Sequence, residues 1–432
     1  TFFFIYACLR SSSSSSREGR YYRVRVRRFK FKFKFKFKVC TGKNTCILLC
    51  GGRYRCFSNT YDSQINLSKM QQPPPIAIEN ISVGFKSQRL RFRGCHIPHD
   101  QFIKIDEMIR AYHSVKSLEL CVCRFPEEEI VFLAANLHAY ALIGLQFADV
   151  RMTHVGAAAL SVAIQETSLK KLDLTHNEIG PIGGDRLAHA LKDTGLECLL
   201  LRRNSLGASV LTFAHVLLTH RTALKSLDVS MNFCGDDGAV AMANALPNTH
   251  LETLLMDTNG ISKRGTLALC RAVSGDCKIV ELSISGNECT DEECIDAIAN
   301  MIATSKLTIL ALDNVRLTPP ALMKLADGVR RSIYIQDLQI NGNPEILNVH
   351  VQAFIKCIGN HISFKTLGLA GTGVTAEEKP AIEARLKRLQ TPRAKILVLF
   401  ASMHKLPRWR AKTTMKLQGD LLPVLGEYLS DD

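Results

Sequence analysis

Cys95, His96 and His99 place a thiol and two imidazoles in one short stretch, and these are donor types that hold zinc. Cys40, Cys46, Cys50 and Cys56 form a second group. Their intervals of five, three and five residues match no structural zinc pattern, since such sites favour pairs separated by about two to four. Gly42-Lys43-Asn44 has the Gly-Lys step of a phosphate-binding loop but lacks the hydroxyl residue after the lysine and the upstream glycine. No His-Glu-x-x-His run and no Gly-x-Ser-x-Gly elbow is present. The reading is therefore a protein with no catalytic residue, no metal and no cofactor. The other cysteines, among them Cys198, Cys234, Cys270, Cys277, Cys289, Cys294 and Cys357, are scattered without a paired framework. Reduced thiols in a cytoplasmic or nuclear core fit that scatter.

One polar residue does recur. Asn177, Asn204, Asn232, Asn259 and Asn287 follow one another at intervals of 27 or 28 residues, and Asn343 continues the series. Each belongs to a shared skeleton: Leu169-Leu172-Leu174-Asn177-Ile179 aligns with Leu196-Leu199-Leu201-Asn204-Leu206 and with Leu224-Leu227-Val229-Asn232-Cys234. Two more copies are Leu251-Leu254-Met256-Asn259-Ile261 and Ile279-Leu282-Ile284-Asn287-Cys289. Weaker copies start at Ser87, Val115, Leu142, Leu307, Ile335 and Phe364, which gives eleven starts spaced 27 to 29 residues apart. The copy at Leu307 carries Val315 in the Asn position, with Asn314 one place early. Cys95 holds that position in the first copy, so a structural role accounts for it.

The elements that position these residues follow from their types. The Leu-x-Leu core is a short strand whose alternate side chains point inward. The Asn sits where the chain leaves the strand, and its amide is expected to be buried and to satisfy backbone groups of the turn. Stretches such as Leu187-Ala188-His189-Ala190-Leu191 and Met242-Ala243-Asn244-Ala245-Leu246 predict helices, with small Ala allowing close packing on the sheet. Gly180, Gly183, Gly207, Gly235 and Gly238 are expected at the bends before the helices, and Pro319-Pro320 at a helix start.

This pattern resembles the ribonuclease-inhibitor-like subfamily of leucine-rich repeats, over about 300 residues. The resemblance implies an α/β leucine-rich-repeat solenoid of about eleven repeats. That fold is a horseshoe with parallel strands on the concave face and helices on the convex face. It implies a protein-protein interaction scaffold or adaptor rather than an enzyme, with another protein as partner. The same subfamily includes the activating protein of the Ran GTPase and tropomodulin, so a regulator of a small GTPase and an actin- or membrane-linked adaptor are the alternatives. The basic C-terminus departs from the acidic tail typical of the Ran-activating proteins.

Strand alternation names the inner face of the curve. The residue between the two core positions, and the one after the second, point to the concave side: Asp173 and Thr175, Leu200 and Arg202, Asp228 and Ser230, Leu255 and Asp257, Ser283 and Ser285, Ala311 and Asp313, Gln339 and Asn341. Asp173, Arg202, Asp228, Asp257 and Asp313 are the candidate partner contacts. They are expected to share one continuous, mildly acidic face, with Asp228 exposed. Taken singly, each is equally a solvated strand position.

The net charge of +15 is local. Residues 1–69 hold 16 of the 55 Lys and Arg and only Glu18 and Asp62 as acids, which leaves 39 bases against 38 acids beyond them. The repeat body is thus near neutral, and no nucleic acid is expected as a partner. Residues 1–69 read as a low-complexity basic leader, with Ser11–Ser16 a homopolymer and a Phe-Lys repeat up to Val39. Alternation there could make a strand for an anionic membrane. The late first methionine, Met70, fits a segment that is disordered or outside the native protein. Residues 70–86 are a lead-in, 87–390 the solenoid and 391–432 a basic tail. The tail carries Arg393, Lys395, Arg408, Trp409, Arg410 and Lys412. It is either plainly solvated or in weak contact with an anionic membrane or an acidic protein.

Overall fold

A computed structural model describes residues 89–389, apart from 290, 360 and 362. The leader, the lead-in and the whole basic tail, from Arg393 and Lys395 through Arg408, Trp409, Arg410 and Lys412, lie outside the described residues.

Strand and helix alternate eleven times. The strands are β1 (Arg89–Arg93), β2 (Ser117–Cys121), β3 (Gly144–Ala148), β4 (Lys171–Asp173), β5 (Cys198–Leu200), β6 (Ser226–Asp228), β7 (Thr253–Leu255), β8 (Glu281–Ser283), β9 (Ile309–Ala311), β10 (Asp337–Gln339) and β11 (Thr366–Gly368). They form one parallel sheet in strict sequence order. The register pairs like with like, Leu172 beside Leu199 and Leu199 beside Leu227. Helices follow each strand: α1 (His99–Ala111), α2 (Glu128–Asn136), α3 (His154–Ala163), α4 (Gly180–Ala190), α5 (Ser209–Thr219), α6 (Gly235–Ala245), α7 (Lys263–Ser274), α8 (Glu292–Thr304), α9 (Pro319–Arg331), α10 (Asn348–Ile358) and α11 (Lys379–Leu389). Paired strands sit about 4.8 Å apart whereas packed helices need about 8–10 Å. The helix layer must therefore take the outer arc and the sheet the inner one. No helix among the described residues is long and apolar enough to cross a membrane.

Each repeat contributes its two strand core residues and the apolar stripe of its helix to a single continuous core. Leu172, Leu174, Leu227, Val229, Leu254 and Met256 are all fully buried. Helix starts follow local chemistry. Thr318 Oγ1 accepts the Ala321 N–H, and Pro319 and Pro320 open α9. Asp291 caps α8 by accepting the Cys294 N–H at 2.9 Å. Gly180, Gly207 and Gly235 occupy the bends, with φ near +64°, +52° and +59°. Gly183 and Gly238 do not: they lie inside α4 and α6. A Cβ on Gly238 would stand 2.6 Å from Cys234 Cβ, so close helix-to-turn packing, not a bend, requires glycine there. Gly328 plays the same part between α8 and α9, where its Cα faces the Ala299 backbone and a Cβ would come within 2.9 Å of Ala299 Cα.

The asparagines build a ladder along one edge of the sheet. Asn232 is fully buried. Its Nδ2 donates to Leu201 O in the preceding repeat at 2.9 Å and to Val229 O in its own at 3.0 Å. Its Oδ1 accepts from Asn204 N at 2.9 Å and Leu206 N at 3.2 Å. Asn177, Asn259 and Asn287 repeat these bonds to the preceding repeat, and Asn343 repeats them against Leu312 O and Leu317 N. Asn204 donates in the same way, but its Oδ1 is buried without a partner. Val315 leaves a gap: Cys289 N, which an amide there would receive, turns instead to Asn287 O at 3.2 Å. At the start of the array cysteine takes the position. Cys123 Sγ lies 3.5 Å from Phe92 O, the equivalent of Leu201 O, and 3.4 Å from Cys95 Sγ.

Candidate functional site

The concave sheet surface is a polar surface that the repeat geometry repeats in register. Because Leu172 and Leu174 point into the core, Lys171, Asp173 and Thr175 must point the other way, and so on through every strand. Three side chains per repeat therefore line the face, where the sequence reading named two. The missed one precedes the first core position: Lys171, Ser226, Thr253, Glu281 and Asp337. Plain alternation would have revealed it. The same rule places Arg89, Arg91 and Arg93 of β1 and Glu119 of β2 on this surface. Glu119 is nearly buried and is ion-paired to Arg91.

Charge along the face is polarised. The β1 end is rich in arginine. From β6 to β10 the face carries Asp228, Asp257, Glu281, Asp313 and Asp337 and no Lys or Arg.

The candidate contacts fall on this face but are less open than expected. Asp228 is 7% exposed and Asp173 8% exposed, which corrects the expectation of a solvated Asp228. The cause is crowding on the inner arc, together with local capping. Asp173 Oδ1 accepts Thr175 N at 3.0 Å, and Asp228 Oδ1 accepts Ser230 N at 2.9 Å. Asp257 and Asp313 reach into the next repeat, accepting Ser285 N at 3.0 Å and Asn341 N at 2.7 Å. These aspartates hold the strand ends. Arg202 is the bridge among them. Its Nη1 lies 3.2 Å from Asp257 Oδ2, two strands away. Burial pushes the Asp228 carboxyl up from its ordinary value, against the lowering effect of the Ser230 contacts and Arg202. Burial also raises Asp313, against two hydrogen bonds from Asn341. Glu281 and Asp337 are partly buried, as are Asp257 and Asp313, but they accept only from side chains, Thr253 Oγ1 and Gln339 Nε2, and so hold no turn.

The residues with metal-ligand chemistry do not converge. Cys95 faces Cys123, while His99 Nδ1 turns to Glu129 Oε1 at 2.8 Å. Among the described residues no group of three His, Cys, Asp or Glu is placed to hold a metal ion.

A family model described as the leucine-rich repeat matches residues 165–188, the stretch that runs through β4 into α4. Ribonuclease inhibitor from Sus scrofa is 25% identical over 214 residues, covering 48% of this chain and 47% of that protein. The same protein from Mus musculus is 22% identical over 267 residues, with 60% and 59% covered. The chain is built of leucine-rich repeats and is similar to the ribonuclease-inhibitor type. This leucine-rich-repeat protein also matches the human NACHT, LRR and PYD domains-containing protein 5, at 26% identity over 194 residues, 43% of this chain and 16% of that one. It spans about half the length of the ribonuclease inhibitors it matches, 47% and 59% of them.

Proposed function

We propose that this leucine-rich-repeat protein binds another protein along the concave sheet, as an interaction scaffold, with the acidic rows from β6 to β10 meeting a basic patch. The observation that carries the reading is that Glu281, Asp313 and Asp337 share the face with no basic residue from β6 to β10, Arg202 of the fifth repeat reaching only Asp257. Strands in register place Glu281 and Asp337 in one row, each beside Ile309, and Asp257 and Asp313 in another, so acids of one row stand two strands, about 10 Å, apart on a rigid support. A preformed field of one sign speeds encounter with a complementary partner and suppresses others. The relatives named ribonuclease inhibitor act, by that name, on another protein, and this favours a protein partner over a small molecule. No observation favours the GTPase-regulator or the actin-linked alternative over this reading.

The test is proximity labelling with the full chain as bait, followed by kinetics with the recovered protein. Glu281→Lys with Asp337→Lys should slow association about tenfold or more at low salt, and the difference should shrink as salt rises. Asp228 is unsuited to this test, because it also holds its own turn by accepting Ser230 N. A double variant that binds like the wild type, while removal of residues 391–432 abolishes binding, would move the contact to the basic tail.

A further inference from the structure

The turns that leave the sheet share a feature of their own. In all eleven repeats the residue before the ladder position is left-handed, with φ between +51° and +67°. Gly94, Gly286, Gly342 and Gly371 adopt it freely, whereas His176 and Arg203 adopt it against the steric preference of an L side chain. Arg151, just after its ladder position, is also left-handed at +63°. The turn imposes this state in every repeat, and in the third to fifth repeats it brings the basic side chains Arg151, His176 and Arg203 to one edge of the solenoid.

These residues surround one cleft of about 290 Å³ on the turn edge, away from the concave sheet, lined by Arg124, Asp149, Arg151, His176, Glu178 and Arg203. Its charges are unevenly matched. Arg124 answers Asp149, with Nη2 at 3.4 Å from Oδ1 and Nη1 donating to the Asp149 carbonyl at 2.7 Å. His176 Nδ1 lies 3.6 Å from the same carboxylate. Burial lowers the imidazole from its ordinary value, with Asp149 opposing and Arg203 and Arg124 adding to the effect. Among the described residues Arg151 and Arg203 make no ion pair, and neither does Glu178. Two uncommitted guanidinium groups and one uncommitted carboxylate therefore face the same space.

The geometry points to a binding site for a phosphorylated serine or threonine side chain of a protein, held by Arg151 and Arg203, with Glu178 accepting an N–H of the attached peptide. Two guanidinium groups match the two charges and fork geometry of a phosphoryl group. A bare carboxylate would use only one of them. Glu178 would repel a free anion but suits a donor carried beside the phosphate, which is what a peptide backbone supplies. Further along the same edge stands Phe233, 78% exposed and also left-handed at +57°, an apolar surface for a neighbouring peptide residue. This site stands apart from the concave-face reading, and its test needs no knowledge of that partner.

The probe is a set of fluorescent peptides randomised on both sides of a central phosphoserine or phosphothreonine, titrated into the full chain by anisotropy. Unphosphorylated copies and inorganic phosphate serve as competitors. The phosphorylated set should bind at least tenfold more tightly than the unphosphorylated set. The combined Arg151→Gly and Arg203→Gly variant should lose that tenfold preference. Because glycine relieves the left-handed backbone, this variant should melt no lower than the wild type, which separates loss of the site from loss of the fold. Glu178→Gln should weaken the peptide and strengthen inorganic phosphate. Equal binding of phosphorylated and unphosphorylated peptides, or a preference that survives in the double glycine variant, would overturn the site. Inorganic phosphate competing as strongly as an equal concentration of peptide would overturn the assignment to a protein side chain.

Discussion

Replacing Asn232 by Leu isolates what the ladder contributes. Asn232 makes bonds of two kinds, and only one kind is irreplaceable. Leu201 O, which receives its Nδ2, also receives Asn204 Nδ2 at 2.9 Å, and Val229 O also receives Asn259 Nδ2 at 3.0 Å. Both carbonyls thus keep a donor when Asn232 is lost. The N–H groups of Asn204 and Leu206 do not keep an acceptor, because Oδ1 of Asn232 is the one they use. Asn204 and Leu206 are fully buried, so water cannot reach these donors without opening the turn. Two orphaned donors at about 1–3 kcal/mol each give a loss of about 2–6 kcal/mol. Leu has as many side-chain heavy atoms as Asn but is bulkier, so no cavity opens, and any overpacking at this buried position adds to the loss. Guanidinium unfolding of the full chain, followed by circular dichroism, reads the change from the midpoint and slope. A loss under about 0.5 kcal/mol, the range of an ordinary surface substitution, would refute the reasoning and the register with it.

Four further outcomes are expected. Val315→Asn should raise the unfolding midpoint, since Asn314 and Arg316 already hold the left-handed angles of a ladder turn and Cys289 N would gain an acceptor; an unchanged or lower midpoint counts against this. Asp228→Asn keeps an acceptor for Ser230 N and removes a buried charge. Because the folded carboxyl is raised, its stabilising effect is present below the ordinary carboxylate range and lost as pH rises through the folded value. The variant should therefore be more stable than the wild type at neutral pH, with the gap closing in acid, as thermal melts across pH would report. Cys234 and Cys289, both pushed up to about 12 by burial, should resist iodoacetamide at pH 8 in the native state and react on unfolding, by mass spectrometry. Gly238→Ala should destabilise α6 despite the better helix propensity of Ala, as seen by a lower melting temperature, because its Cβ would meet Cys234.

The fold was legible because the repeat is its own alignment. Eleven in-phase copies of a Leu-x-Leu step can be read with no partner sequence, and the strands fall where that step is placed. The asparagine position was legible for the same reason. Less was legible where a side chain's environment depends on the next repeat rather than on its own. Asp228 reads as a solvated strand residue, yet its burial comes from the inner arc, where neighbouring strands crowd each other. Gly183 and Gly238 read as bends, because a glycine near a turn looks the same whether it serves backbone angle or close approach. The left-handed residue before each ladder position was missed altogether. Seven different residue types, from Val122 to Asn314, occupy it outside the glycines, so composition carries no sign of the shared conformation.

The gap at Val315 and the tight contact at Gly328 belong to the same interval, between the eighth and ninth repeats, but they lie on opposite layers. On the turn edge a bond is missing; on the outer layer two backbones touch. One bond fewer on the turn edge and a close contact on the outer layer make this interval less tightly fastened at the ladder than its neighbours, although Gly286 N still donates to Asp313 O at 2.7 Å. The amide protons of Asn287 and Cys289 would then exchange with deuterated solvent faster than those of Asn204 and Leu206, although all four lie in equivalent places of their repeats.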